Sequence, residues 1–132
     1  MKTYRIILKG KPIPWTAPRV GRRRTFSTHT VKANRLKLLV RSQYREKPLL
    51  GAVMVDLSFY MPIPKSASAK RQSLIRECKE LHTKRPDITN LCKITEDLLN
   101  GIVYVDDAQI VKVLSAKYYS DDPRVEIYIT EI

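Results

Sequence analysis

Five carboxylates, Asp87, Glu96, Asp97, Asp106 and Asp107, fall within residues 84–110, KRPDITNLCKITEDLLNGIVYVDDAQI, of a chain that is otherwise strongly basic. Such acids either cap helices and fill turns, or they hold a cation against a phosphate. Asp87 follows Pro86 where a helix N-cap belongs, and Asp106-Asp107 has the composition of a turn. Thr89, Lys93, Glu96 and Asn100 recur at three- and four-residue spacing on one polar face, with Asp97 beside them. A carboxylate at a helix start and a pair beyond the next short strand converge if that strand returns beside the helix. Mg²⁺ takes oxygen ligands and keeps several waters, so two carboxylates plus a substrate phosphate satisfy it. In that arrangement the ion activates a water and Lys93 steadies the charge developing on the phosphate, which is nuclease chemistry.

Other chemistries fit less well. Cys78 and His82 share a helical face and Cys92 lies ten residues beyond the histidine, but the remaining histidine, His29, is remote. A structural zinc site needs four ligands at tighter paired spacing, so the two cysteines read as ordinary thiols of a reducing compartment. Neither a glycine-rich phosphate loop nor a nucleophile elbow is present.

The charge distribution points to the partner. Residues 1–50 carry fourteen Lys and Arg against Glu46 alone, whereas residues 51–132 are almost neutral, within a net +12. A basic segment beside a neutral one is the footprint of a polyanion binder. Arg19, Arg22, Arg23 and Arg24, interleaved with Trp15 and Phe26, suit phosphate contact and base stacking. Lys32 and Arg35 follow on a helix. No apolar run reaches bilayer length and the start lacks a signal-peptide core, so the expectation is a cytoplasmic protein away from membranes.

At 132 residues, with 43% hydrophobic and 29% charged side chains, the chain suits one globular domain spanning residues 1–132. Alternation predicts strands over residues 2–9 and 52–61, the latter burying Val53, Val55, Leu57 and Phe59. The Pro- and Gly-rich stretch GKPIPWTAPRVGRRRTFST reads as an extended loop. Helices are expected over residues 31–44 (apolar at Val31, Leu36, Leu39, Val40 and Tyr44), 66–81 and 88–99. The third buries Ile88, Leu91, Ile94, Leu98 and Leu99, with Asn100-Gly101 as its C-cap. IVYV, AQIVKVLSAKYY and RVEIYIT read as strands. The order β-α-β-α-α-β-β-β defines an α+β domain with helices packed on a mixed sheet.

RPDITNLCKITEDLLNGIVYVDDAQI resembles the signature of the RusA family of Holliday-junction resolvases from bacteria and their prophages. Asp87, Asn90, Lys93, Asp97, Asn100-Gly101, Asp106, Asp107 and Gln109 stand in register with it, and KPIPWTAPRVGRRRTF with the following helix is similar to the family's N-terminal region. The resemblance implies a homodimer that cuts four-way junctions symmetrically in recombination and repair, using Mg²⁺ or Mn²⁺. It implies catalytic roles for Asp87, Lys93 and Asp107, and metal ligation by Asp87 and Asp107 with Asp106 adjacent. Where the family carries a second Asp, this chain has Thr89, whose hydroxyl ligates Mg²⁺ without charge. That departure keeps open a second reading, a junction-binding protein with little or no cleavage.

Overall fold

The computed structural model describes residues 1–14 and 28–132, with side chains in the second part from Val31 onward. Seven elements follow in order: β1 (Thr3–Lys9), α1 (Thr28–Gln43), β2 (Val53–Pro62), α2 (Ala69–Arg76), α3 (Ile88–Leu99), β3 (Ile110–Ser120) and β4 (Arg124–Glu131). The strands form one mixed sheet in the order β1-β4-β2-β3. β4 runs antiparallel to both of its neighbours, whereas β2 and β3 are parallel. Parallel pairing requires a crossover, and α2 and α3 lie in it.

Period-two alternation selects the covered face. Val53, Val55, Leu57, Phe59 and Met61 of β2 are all buried, together with Val125, Ile127 and Ile129 of β4 and Ile6 and Leu8 of β1. Against this face α3 lays Leu91, Ile94, Leu98 and Leu99. Each such side chain contributes about 1.5–3 kcal/mol on leaving water. Thr95, also buried, donates its hydroxyl proton to the Leu91 carbonyl and so leaves no unsatisfied polar atom. α1 docks through Val40, with Ala33 and Leu36 partly buried, and just beyond its end Tyr44 is buried too. At its last residue Gln43 exchanges two hydrogen bonds with Ile7, at 2.8 and 2.7 Å, which occupies the outer edge of β1.

The α+β class and the succession of elements agree with the sequence reading, but several elements differ in detail. Val31 and Leu39 face solvent, because the docking face of α1 is set by Ala33, Leu36 and Val40. The second helix is shorter than residues 66–81: Ser68 caps it, and it stops at Arg76 before Cys78 adopts a positive φ of 60°. The segment IVYV makes only isolated bridges, of Tyr104 with Leu49 and Asn100, and Asp107–Gln109 form a 3₁₀ turn ahead of β3. Tyr104 is held there by its own burial and by a 2.7 Å bond from its hydroxyl to the Glu96 carbonyl. Among the described residues no helix is long and apolar enough to cross a membrane.

Candidate active site

α3 lies along the helix-side face of β3 and runs opposite to it. At the end of β3 the Lys117 ammonium donates to the Lys84 and Pro86 carbonyls, at 3.0 and 3.1 Å, just before α3 begins. Midway, Cys92 of α3 and Ser115 of β3 line the same space, and burial pushes the Cys92 thiol up. Towards the end of α3 the 3₁₀ turn brings Asp107 up to Glu96. Between helix and strand lies an open groove lined by Ile88, Thr89, Cys92, Lys93, Glu96, Asp97, Asp107, Val113 and Ser115.

The groove gathers some of the anticipated residues and leaves others outside. Thr89, Lys93 and Asp107 line it. Asp87 is exposed at the N-cap position, next in the chain to the lining residue Ile88, and makes no side-chain capping bond. Capping therefore does not account for its carboxylate. Asp106 does behave as a turn residue: its Oδ2 accepts from the Ala108 amide at 3.4 Å. Lys32 and Arg35 are exposed on α1, while Arg19, Arg22, Arg23, Arg24, Trp15 and Phe26 lie outside the described residues.

Gln109 holds the turn in place. Its Oε1 accepts from the Val105 and Asp106 amides at 2.8 and 2.9 Å, and its Nε2 donates to the Leu49 and Gly51 carbonyls, each at 2.8 Å. One side chain thus pins Asp107 to the loop entering β2. The sequence motif contained this glutamine and the Val105 and Asp106 amides, but not the Leu49 and Gly51 carbonyls, which lie 60 and 58 residues away.

Most acids outside this region are paired, Asp56 and Glu131 being the exceptions among the described residues. Glu46, Glu77, Glu80, Asp121, Asp122 and Glu126 each meet a Lys or Arg. Among the described residues, none of Asp87, Glu96, Asp97, Asp106 and Asp107 makes an ion pair. Burial raises the Glu96 carboxyl above the usual range, and Asp107 and Asp97 raise it further. The Tyr104 phenol is raised by burial and then by Glu96, Asp107, Asp97 and Asp106, so all four carboxylates act on one buried phenol. Negative charge concentrated in this way, with no ion pair to it among the described residues, favours a bound cation.

No three His, Cys, Asp or Glu side chains among the described residues converge as a closed metal cage, and Cys78, His82 and Cys92 form no such group. A cage is not what Mg²⁺ uses. It sits on one or two carboxylates, retained waters and substrate phosphate, and an open groove with Asp107 and Glu96 in electrostatic contact has that donor set. Glu96 had no role beyond the polar face of α3 in the sequence reading, and its position three residues after Lys93 was the available signal.

Comparison with known proteins places the chain in a family. The profile of the family described as Endodeoxyribonuclease RusA matches residues 9–130, and the chain belongs to that family of junction-resolving endonucleases. It is also 33% identical, over its whole length and 99% of the relative's, to the uncharacterized protein YqaN of Bacillus subtilis strain 168.

Proposed function

We propose that this protein is a Mg²⁺-dependent endodeoxyribonuclease that resolves four-way DNA junctions as a homodimer. The observation that carries the reading is a groove that sets Lys93 beside Glu96, Asp97 and Asp107, carboxylates with no ion pair among the described residues, in a chain of net charge +12. Basic side chains in residues 1–50 bind the backbone, and the groove receives the phosphate to be cut. Asp107 and Asp87 supply the charged oxygens for the cation, and the Thr89 hydroxyl a neutral one. When bound, Mg²⁺ supplies positive charge at the scissile phosphate and acidifies the attacking water. Mn²⁺, which shares the preference for oxygen ligands, substitutes for it. Lys93 presents an ammonium from the groove wall to charge developing on the phosphate oxygens. Gln109 keeps Asp107 opposite α3 while this happens.

Twofold symmetry suits a substrate with two equivalent strands to cut. β3 is an edge strand, and Val111, Leu114 and Tyr118 are exposed along it, apolar groups that a second copy of the chain could cover.

A second reading, junction binding without efficient cleavage, is favoured by Thr89 in place of a carboxylate. A synthetic four-way junction incubated with and without Mg²⁺, with binding and cleavage measured separately, decides between them. Binding with symmetric Mg²⁺-dependent incision supports the nuclease, and binding with intact strands at all Mg²⁺ concentrations supports the alternative.

A further inference from the structure

We propose that Glu96 is a metal-ligating residue of this site and supplies the negative charge that Thr89 does not bring. The inference rests on the nuclease reading and deepens it. Thr89, Lys93 and Glu96 lie at spacings of four and three on α3 and line the same groove, so they share one helical face. Helical side chains lean towards the helix N-terminus, and the long Glu96 side chain therefore reaches back along the groove in the direction of Lys93 and Thr89. Asp107 enters from the opposite wall, on the turn pinned by Gln109.

Among the described residues, the partners of Glu96 leave its carboxylate available. Tyr104 bonds the backbone carbonyl of residue 96, not its side chain. Among the described residues Glu96 makes no ion pair, although it is only partly exposed and the chain carries 25 Lys and Arg. A partly buried carboxylate facing a second one is unfavourable unless a cation joins them. Two carboxylates, one from each wall, are what a hydrated Mg²⁺ takes from protein. Glu96 stands two helical turns, about 11 Å, from Thr89 along α3, so it returns the missing charge to the groove at the end where Asp107 stands and not at position 89 itself.

The test is a Mn²⁺ titration of the full chain without DNA, followed by calorimetry and by the free-ion electron paramagnetic resonance signal. Glu96→Gln is expected to weaken Mn²⁺ binding by at least about tenfold, the scale on which even supporting groups around a metal act. Thr89→Asp added to Glu96→Gln is expected to recover most of that loss, which a purely structural role for Glu96 would not produce. Asp107→Asn serves as the reference. If it abolishes binding while Glu96→Gln titrates like the parent, the Glu96 assignment is overturned and the nuclease reading stands. If neither variant differs from the parent, the groove is not the cation site and both fail. Should Glu96→Gln not fold by circular dichroism, Glu96→Asp retains the charge on a shorter arm, and unchanged Mn²⁺ affinity in the Thr89→Asp, Glu96→Ala pair relative to the parent carries the same support, its loss the same refutation.

Discussion

Replacing Gln109 by Ala should uncouple Asp107 from the rest of the molecule. The substitution removes four hydrogen bonds, from the Val105 and Asp106 amides and to the Leu49 and Gly51 carbonyls. At a net contribution of about 0.5–1.5 kcal/mol each, the sum spans about 2–6 kcal/mol. Three of the four bonds are exposed enough for water to replace the missing partner, whereas the bond to Leu49 is part-buried. The expected loss is therefore about 2–4 kcal/mol, towards the lower end of that range. It should appear in urea as a lower transition midpoint at unchanged slope. Cleavage should fall by about 100-fold even where the protein remains folded, the scale on which a misplacement of about 1 Å acts. Gln109→Glu separates the two halves of the clamp. It keeps the acceptors for the two amides but turns a carboxylate towards two carbonyls, which disfavours the charged form and raises its folded pKa. Its deficit should therefore be full when the carboxyl is ionised and should shrink as pH falls and the carboxyl becomes a donor. A Gln109→Ala protein within about 0.5 kcal/mol of the parent, the range of an ordinary surface substitution, would refute the clamp.

The triple change Arg22, Arg23 and Arg24 to Ala should weaken junction binding and lower the slope of log affinity against log salt by about 2–3, at roughly 0.9 for each phosphate no longer neutralised; an unchanged slope means these arginines do not touch phosphate. Asp87→Asn and Asp107→Asn should each abolish Mg²⁺-dependent incision while leaving junction binding intact or tighter in a gel-shift assay, since removing a carboxylate reduces repulsion of DNA but deprives the cation of a charged ligand. Because Glu96 has a raised carboxyl pKa in the folded chain, its ionisation costs stability. That cost is absent below the ordinary carboxylate range and develops as pH rises through the folded value, so Glu96→Gln should be more stable than the parent at neutral pH and equal to it in acid. Urea midpoints at the two pH values check this.

Much of the fold was legible because its signals are local. β2 alternates strictly and α3 carries an apolar stripe, and both appear with the anticipated buried residues except Ile88, which is only partly buried at the groove. The errors occurred where tertiary partners decide. Nothing local distinguishes Val31 and Leu39, which face solvent, from Leu36 and Val40, which dock. IVYV has strand composition, yet its place is set by Tyr104 reaching the Glu96 carbonyl and by Leu49 donating to the Val103 carbonyl at 2.7 Å. The site divided in the same way. Thr89 and Lys93 share a groove because helix periodicity is readable in one dimension. That Glu96, and not Asp87, lines it alongside Asp107 depends on α3 lying opposite to β3, a fact that spacing along the chain does not contain.

The position of β4 has a consequence for how the protein is made. This strand, Arg124–Glu131, is an interior one, paired on one side with β1 and on the other with β2. On a translating ribosome β1 emerges first and must wait while more than a hundred residues follow before it has a partner. β2 and β3 are available to pair earlier, and so α3 and the carboxylate groove can assemble against half a sheet. The halves join only when residues 124–131 are free of the exit tunnel. Sequence-distant pairing of this kind slows folding, and an unpaired β1 and β2 edge is exposed to neighbouring chains in the interval. Gln43, by occupying the other edge of β1 from within α1, shields half of that liability from the moment α1 docks. The candidate groove thus gains both of its walls before β1 has a partner.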